Sequence, residues 1–283
     1  MLRGGDGSIH FRFIRVLVAS LRTYAKDLLA YYSSWGFLLV RLSIPLFMIA
    51  TAWALARIAS PGGLVYGLGY TDYIGFVALG FAFFSMLTTT LFEVGEKMHR
   101  ELVQGTLEIV LVTPASRAAW LAGNALGSLM VSFIDVVLVI AYYAGIFGME
   151  RISIGMIPHA LLGILLGVMG MMGMGLILGG IVINLKEPHA FNVLLIPFLI
   201  LLTGMMFPVE ALPDGLQQLS KAIPLTHSIE IAREAVLKAT PLWMLEGKVK
   251  TLVVQAITYT TVGYIVFKIL EDRARKTGNL IKF

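Results

Sequence analysis

Runs of uncharged apolar residues, each long enough to cross a bilayer, leave this chain few folds to choose from. Residues 73–92 carry no charge, and 152–185 form a longer run that also lacks any Lys, Arg, Asp or Glu. Crossing requires roughly 20 mostly apolar residues at 1.5 Å rise each. The segments 36–56, 118–149, 188–209 and 251–267 meet or approach that length. The first of these holds Arg41 and the second Asp135. Six such segments predict an all-α integral membrane protein with six transmembrane helices, folded as a single domain over 1–283. The balance of 58% hydrophobic to 14% charged residues agrees, since a soluble domain carries about a quarter charged residues.

The charge left over sets orientation. Six spans place both termini on one side, together with Lys97, Arg100, Arg117 and Lys186 of the loops. Lys and Arg are twice as numerous there as on the other side, where the seven that remain are matched by seven acids. Basic flanks mark the cytoplasmic face, so both termini are expected in the cytoplasm and the chain in the cell membrane. The net charge of +5 then reads as attraction to anionic lipid. No basic patch interleaved with stacking aromatics points to nucleic acid. There is no cysteine, which excludes disulfides and thiolate metal sites. The first 35 residues are basic and mixed, unlike the short apolar core of a secretory signal.

Two flanking regions show helical periodicity without the length of a span. Within 1–34, Ile14, Leu17, Val18, Leu21, Leu28, Leu29 and Tyr32 recur at helical spacing, with Arg12, Arg15, Arg22 and Lys26 on another face. That pattern predicts an amphipathic helix lying in the headgroup plane. Within 208–248, Leu212, Leu216, Leu219 and Ile223 form one stripe and Leu225, Ile229, Ala232 and Val236 a second. Prolines bound both stripes, and Glu234 and Lys238 stand at favourable i,i+4 spacing. Two short helices directly after a span predict an outer re-entrant hairpin, which survives only where protein or a water-filled cavity covers it. In the fourth span, Gly163 and Gly167, then Gly175 and Gly179, stand four apart, a spacing that allows close helix approach.

Catalytic chemistry is missing from the sequence. No phosphate-binding GxxxxGK[ST] string, HExxH pair or GxSxG elbow occurs. The five histidines, including His159 and His189, are scattered without carboxylates at ligand spacing. Asp135 is the one deep ionisable candidate, which is thin material for ion coupling. No cofactor or metal is expected on this chain.

The segment 93–118 breaks the apolar pattern. Glu96, Lys97, Arg100 and Glu101 extend the second span into the cytoplasm, Gly105 permits a turn, and TLEIVLV predicts a short interfacial helix with Glu108 near its positive end. Thr113-Pro114 stops it and Ser116 can cap the next span. Ordinary connections between helices take two to eight residues, so a folded segment of this length reads as a docking element.

ELVQGTLEIVLVTPASR resembles the signature of the permease subunits of type-2 ATP-binding-cassette exporters. LLTGMMFPVEALPDGLQQLSKAIPLTHSIEIAREAVL resembles the same family's stretch from the fifth span through the outer helices, and the likeness runs from about residue 10 to 270. The resemblance implies a half-transporter. Two permease copies, identical or related, would face each other, and each would dock one of two separate cytoplasmic ATPases that bind ATP and Mg. Glu101, Gly105, Thr106, Leu107, Glu108, Pro114 and Arg117 would couple to the ATPase. Phe207, Pro208, Glu210, Leu212 and Pro213 would belong to an outer gate. The entry to the first span, YYSSWGFLLVRLSIP, departs from a polysaccharide-exporter pattern and favours a drug or lipid cargo. Glycan and peptide stay open. The alternatives from a different class are a self-powered secondary carrier or channel, in which Asp135 would matter, and a purely structural assembly subunit.

Overall fold

The computed structural model describes residues 14–24, 26, 35–59, 64–65, 68–105, 117–185 and 188–276. Helices dominate them: α1 (14–24), α2 (Trp35–Ala59), α3 (Tyr70–Val103), α4 (Arg117–Phe147), α5 (Ile157–Leu185), α6 (Pro188–Leu202), α7 (Asp214–Ala222), α8 (Pro224–Lys238) and α9 (Glu246–Lys276). The exception is a two-residue antiparallel pairing, β1 (Leu64–Val65) with β2 (Leu68–Gly69), that turns the chain between α2 and α3.

Among the described residues, four helical segments are long and apolar enough to cross a membrane: Asp72–Glu93, Ala119–Phe147, Ile154–Val182 and Leu242–Ala274. They fall on the second, third, fourth and sixth expected spans. The first falls on α2, 25 residues long, whose described apolar stretch is Leu42–Ile58, and the fifth on the shorter α6, with Phe191–Leu202. Among the six, the fifth departs most from expectation. Its helix stops at Leu202, seven residues short of Val209, because Gly204 takes a left-handed φ of +69° that a helix cannot continue through. Its 15 residues reach roughly 22 Å, against about 30 Å of hydrocarbon.

The bundle centres on α3 and α5. α5 packs along α9 and α3, and α3 also packs along α4. The run of small residues in α5 makes this possible. A Cβ added to Gly173 would collide with the Tyr259 and Thr260 backbone, and one on Gly263 with the Gly173 carbonyl. Thr260 Oγ1 donates to Met169 O across the same seam at 2.9 Å. Without a hydrophobic drive between helices in lipid, such backbone contact is what holds them together. Ile74, Val77, Leu79, Phe83 and Leu87 of α3 are almost fully buried within the core that results. Apolar residues such as Phe47 on α2 and Val193 on α6 remain exposed, as expected where lipid replaces water.

α1 packs on α4, where a Cβ on Gly123 would lie 2.6 Å from Ser20 Cβ and one on Gly127 would lie 2.6 Å from the Tyr24 ring. Ser20 is buried and bonds to Val16 O, whereas Ile14 and Val18 are exposed. The packed face is thus rotated away from the expected apolar stripe, because α4's glycines accept Ser20 and Tyr24 directly.

Candidate functional site

The ending of α6 inside the bundle creates a physical problem. A helix leaves its last carbonyls without intrahelical partners, and away from water each such group costs several kcal/mol. The turn that follows the helix end brings further backbone carbonyls into the same place, and three side chains bond to this region. Arg233 of α8 donates Nη1 to Gly204 O and Nη2 to Met205 O, both at 3.1 Å. Tyr73 of α3 donates its hydroxyl to Met206 O at 3.0 Å. Thr203 Oγ1 returns to Leu199 O at 2.6 Å. A cation at a helix C-terminus is also favoured by the helix dipole.

Arg233 is 5% exposed. Its guanidinium carbon sits 3.5 Å from the centre of the Phe76 ring, which stacks with Tyr73. A guanidinium against an aromatic face out of water is worth about 2 kcal/mol, and each charge-assisted bond roughly 1.5–3 kcal/mol. Burial pushes Arg233 down to about 9, while Glu230 and Glu234 act to raise it, so the charge persists at neutral pH. Gly80 provides the room, since a Cβ there would collide with both Arg233 Nη2 and Met205 O.

Beside this cluster lies a cavity of about 540 Å³, bordered by Phe76, Tyr143, Pro208, Glu210, Glu230 and Arg233 among others. On its far side, Lys248 of α9 bridges Glu230 and Glu234, each at 3.1 Å. Glu234 therefore pairs with α9 and not with Lys238 in its own helix, because Lys238 is exposed while Lys248 reaches both carboxylates.

The two helices after the break are tied to α9 and α5 well below its first turn. Gln255 donates to Lys221 O at 2.7 Å and Tyr259 to Ala222 O at 2.9 Å. Tyr259 lies thirteen residues beyond Glu246, roughly 20 Å along the helix. His227 Nε2 also bonds to Lys221 O at 3.0 Å. Returning, α8 donates Ser228 Oγ to Gly163 O at 3.0 Å and accepts Ser153 N on Val236 O at 2.8 Å. The pair thus descends into the bundle and climbs back out. Leu225, Ile229, Ala232 and Val236 are buried as the sequence predicts, whereas Leu219 of the first stripe is exposed.

Of the residues expected at the gate, Pro208 and Glu210 border the cavity, and Leu212 is buried. Phe207 is half-buried, and Pro213 precedes α7. Asp135 is half-buried on α4. Arg233, Tyr73, Phe76 and Gly80 were not among the expected site residues. The usable signal was Arg233's position on the inward arc of α8, one residue after Ala232 and four after Ile229.

At the opposite end α3 extends beyond the apolar stretch. Glu93 pairs with Arg100 at 2.6 Å and Lys97 with Glu101 at 2.9 Å. Lys97 also stands over the Trp120 ring of α4, and Asn192 of α6 donates to Glu96 at 2.8 Å. Gly105 ends the helix with φ +70° and is exposed, the left-handed closing residue expected of a helix terminus. Arg117 opens α4. Thr106, Leu107, Glu108 and Pro114 lie outside the described residues. Among the described residues no group of histidines and carboxylates is arranged to hold a metal.

Residues 22–237 match the family model described as ABC-2 type transporter. Over 183 residues the chain is 25% identical to the probable multidrug ABC transporter permease YbhR of Escherichia coli K12, covering 65% of this chain and 48% of that protein. Over 219 residues it is 25% identical to nodulation protein J of Bradyrhizobium diazoefficiens, covering 67% of this chain and 76% of the relative. The corresponding figures for nodulation protein J of Rhizobium meliloti are 27% over 208 residues, 67% and 76%. The chain spans about half the length of YbhR. With the family match running from α1 through the buried arginine to the end of α8, this multi-pass membrane chain belongs to the ABC-2 type transporter family of permease subunits.

Proposed function

We propose that this chain is the six-span permease half of an ATP-driven exporter. α2 and the shorter α6 complete the span count, with residues 203–208 finishing what α6 begins. The Gly105 end of α3 lies in the cytoplasm with both termini, and the α7–α8 hairpin dips in from the outer face of the cell membrane. Two such permeases, identical or related, enclose the pathway, and each docks a separate ATPase on the segment 93–118. ATP and Mg belong to that partner. The cargo is drug-like, lipid or glycan, and the name of YbhR favours the first.

One observation carries this reading. α3 is a single unbroken helix of 34 residues, about 50 Å long. Its charged end leads into the docking segment and its other end bears Tyr73 and Phe76 against the clamped break. ATP-driven closure of the partners would rock this helix and shift the permease between inward- and outward-facing states.

The test is co-purification with the ATPase. Glu108→Arg and Gly105→Pro are each expected to lower the amount recovered at least ten-fold while the permease stays folded. Equal recovery with both variants sinks the docking assignment. Screening compounds for stimulation of ATP hydrolysis by the reconstituted complex then identifies the cargo class.

A further inference from the structure

We propose that Arg233 is the positioning residue of the outer gate, holding the strip 203–213 shut over the cavity by clamping the carbonyls of Gly204 and Met205 against α3. The proposal rests on the exporter reading, and adds which part of the hairpin moves and what releases it.

The clamp joins three elements at one guanidinium. The strip supplies two carbonyls, α3 supplies the Phe76 face, and α8 supplies the arginine. The same strip is held to α3 a second time by Tyr73. α8 is not free to swing. Eleven of its 15 residues are buried, and Ser228 fixes it to α5. The strip is irregular where α8 is helical: Thr203, Met205, Val209 and Leu212 are buried but Glu210, Ala211 and Pro213 are exposed, and its start turns at Gly204 through a backbone conformation that glycine reverses readily. The long helix α3 packs on α8 as well, so its displacement reaches the strip through both the Tyr73 bond and the Arg233 contacts, with α8 as the fixed side of the clamp.

The guanidinium also has a second seat within its own helix. Its Nε donates to nothing among the described residues. Glu230 and Glu234 border the same cavity and are held by Lys248, itself about one-third exposed. When the strip departs, Arg233 transfers its donors to these carboxylates, so a buried charge is never stranded. Carbonyls in one state and carboxylates in the other give the gate two discrete positions.

The chain has no cysteine, so a single introduced thiol reports the strip. Val209 borders the cavity and is 4% exposed. The measurement is the rate at which a membrane-impermeant charged methanethiosulfonate, added from outside, modifies Val209→Cys in proteoliposomes with and without the ATPase. Arg233→Gln is expected to speed labelling at least ten-fold at rest and to lower transport per ATP hydrolysed. Arg233→Lys, with one ammonium for two carbonyls, is expected in between. Gly80→Ala keeps the charge but pushes a methyl between Nη2 and the Met205 carbonyl, and is expected to match Arg233→Gln. Folded variants that label at the resting rate of the parent overturn the proposal. So does failure of both Arg233→Gln and Gly80→Ala to fold, which would make Arg233 a packing element only. If the parent's rate ignores nucleotide while the variants stay fast, the exporter reading falls and the clamp stands. If the parent responds to nucleotide and the variants label no faster, the clamp alone falls.

Discussion

The two helices of the hairpin are neighbours in sequence and opposites in construction. α7 buries only Ser220 of its nine residues and exposes Leu219 to 57%. α8 buries eleven of 15, including Leu225, Ile229 and Ala232 at 0% exposed. α7 is fastened mainly at its C-terminal carbonyls, which His227, Gln255 and Tyr259 reach from α8 and α9. α8 is fastened along its whole length, to α5, α9 and the α6 break. Under the proposed gate, a hairpin built this way does not swing as a unit: one arm is wall, and the other, with the strip before it, is cover.

Cavity substitutions test that division most severely. Ile229→Ala in the wall is expected to cost about 2–3 kcal/mol, near the lower end for a buried Ile, since lipid is as apolar as the core and only lost packing counts. Leu219→Ala in the cover is expected within about 0.5 kcal/mol of the parent. Unfolding of the purified protein in mixed micelles measures both. Equal losses would mean that the arms share one core and that the distinction is false.

A pH series sharpens the comparison at the turn between the arms. Burial lowers the pKa of His227, against the pull of Glu230 and the bond to the Lys221 carbonyl, with Lys221 and Lys248 adding to the lowering. Nδ1 is buried without a hydrogen-bond partner. A histidine depressed in the folded state binds fewer protons there than when unfolded. Stability is therefore full above the ordinary histidine value of about 6.5 and falls as pH drops through it, levelling off below the folded pKa. Each unit of depression is worth ~1.4 kcal/mol. His227→Gln is expected to flatten the thermal-midpoint profile between pH 7 and 5, and an unchanged slope would assign the loss to other groups.

The sequence made the spans legible where apolar length alone decides, as in 73–92 and 152–185. It made α8 legible because Leu225, Ile229, Ala232 and Val236 repeat at helical spacing and all turn inward. It was weaker where one residue changes the backbone. Gly204 ends α6 early, yet a glycine within an apolar run looks the same whether it packs or turns. Arg233 reads from the sequence only as one of the seven basic residues of the outer side, since spacing cannot show that a neighbouring helix will end within its reach. Lys248 took Glu234 from Lys238 for a similar reason. Both lysines are plausible partners in sequence, and only the packing of α9 on α8 decides between them.

The smallest expected effect concerns how the cover is hinged. Tyr259 donates to Ala222 O at 2.9 Å, so Tyr259→Phe removes one hydrogen bond and leaves a carbonyl at the end of α7. The net loss for such a bond is about 0.5–1.5 kcal/mol. If α7 is a cover pinned at its C-terminus, that loss is local. Amide exchange should accelerate several-fold across 214–223 and stay unchanged across 225–236, where Ser228, Arg233 and the buried stripe hold α8 independently. Acceleration through both arms would show that the pin at Ala222 supports the wall too. The hairpin would then be a single cooperative body, and Arg233 would be holding all of it.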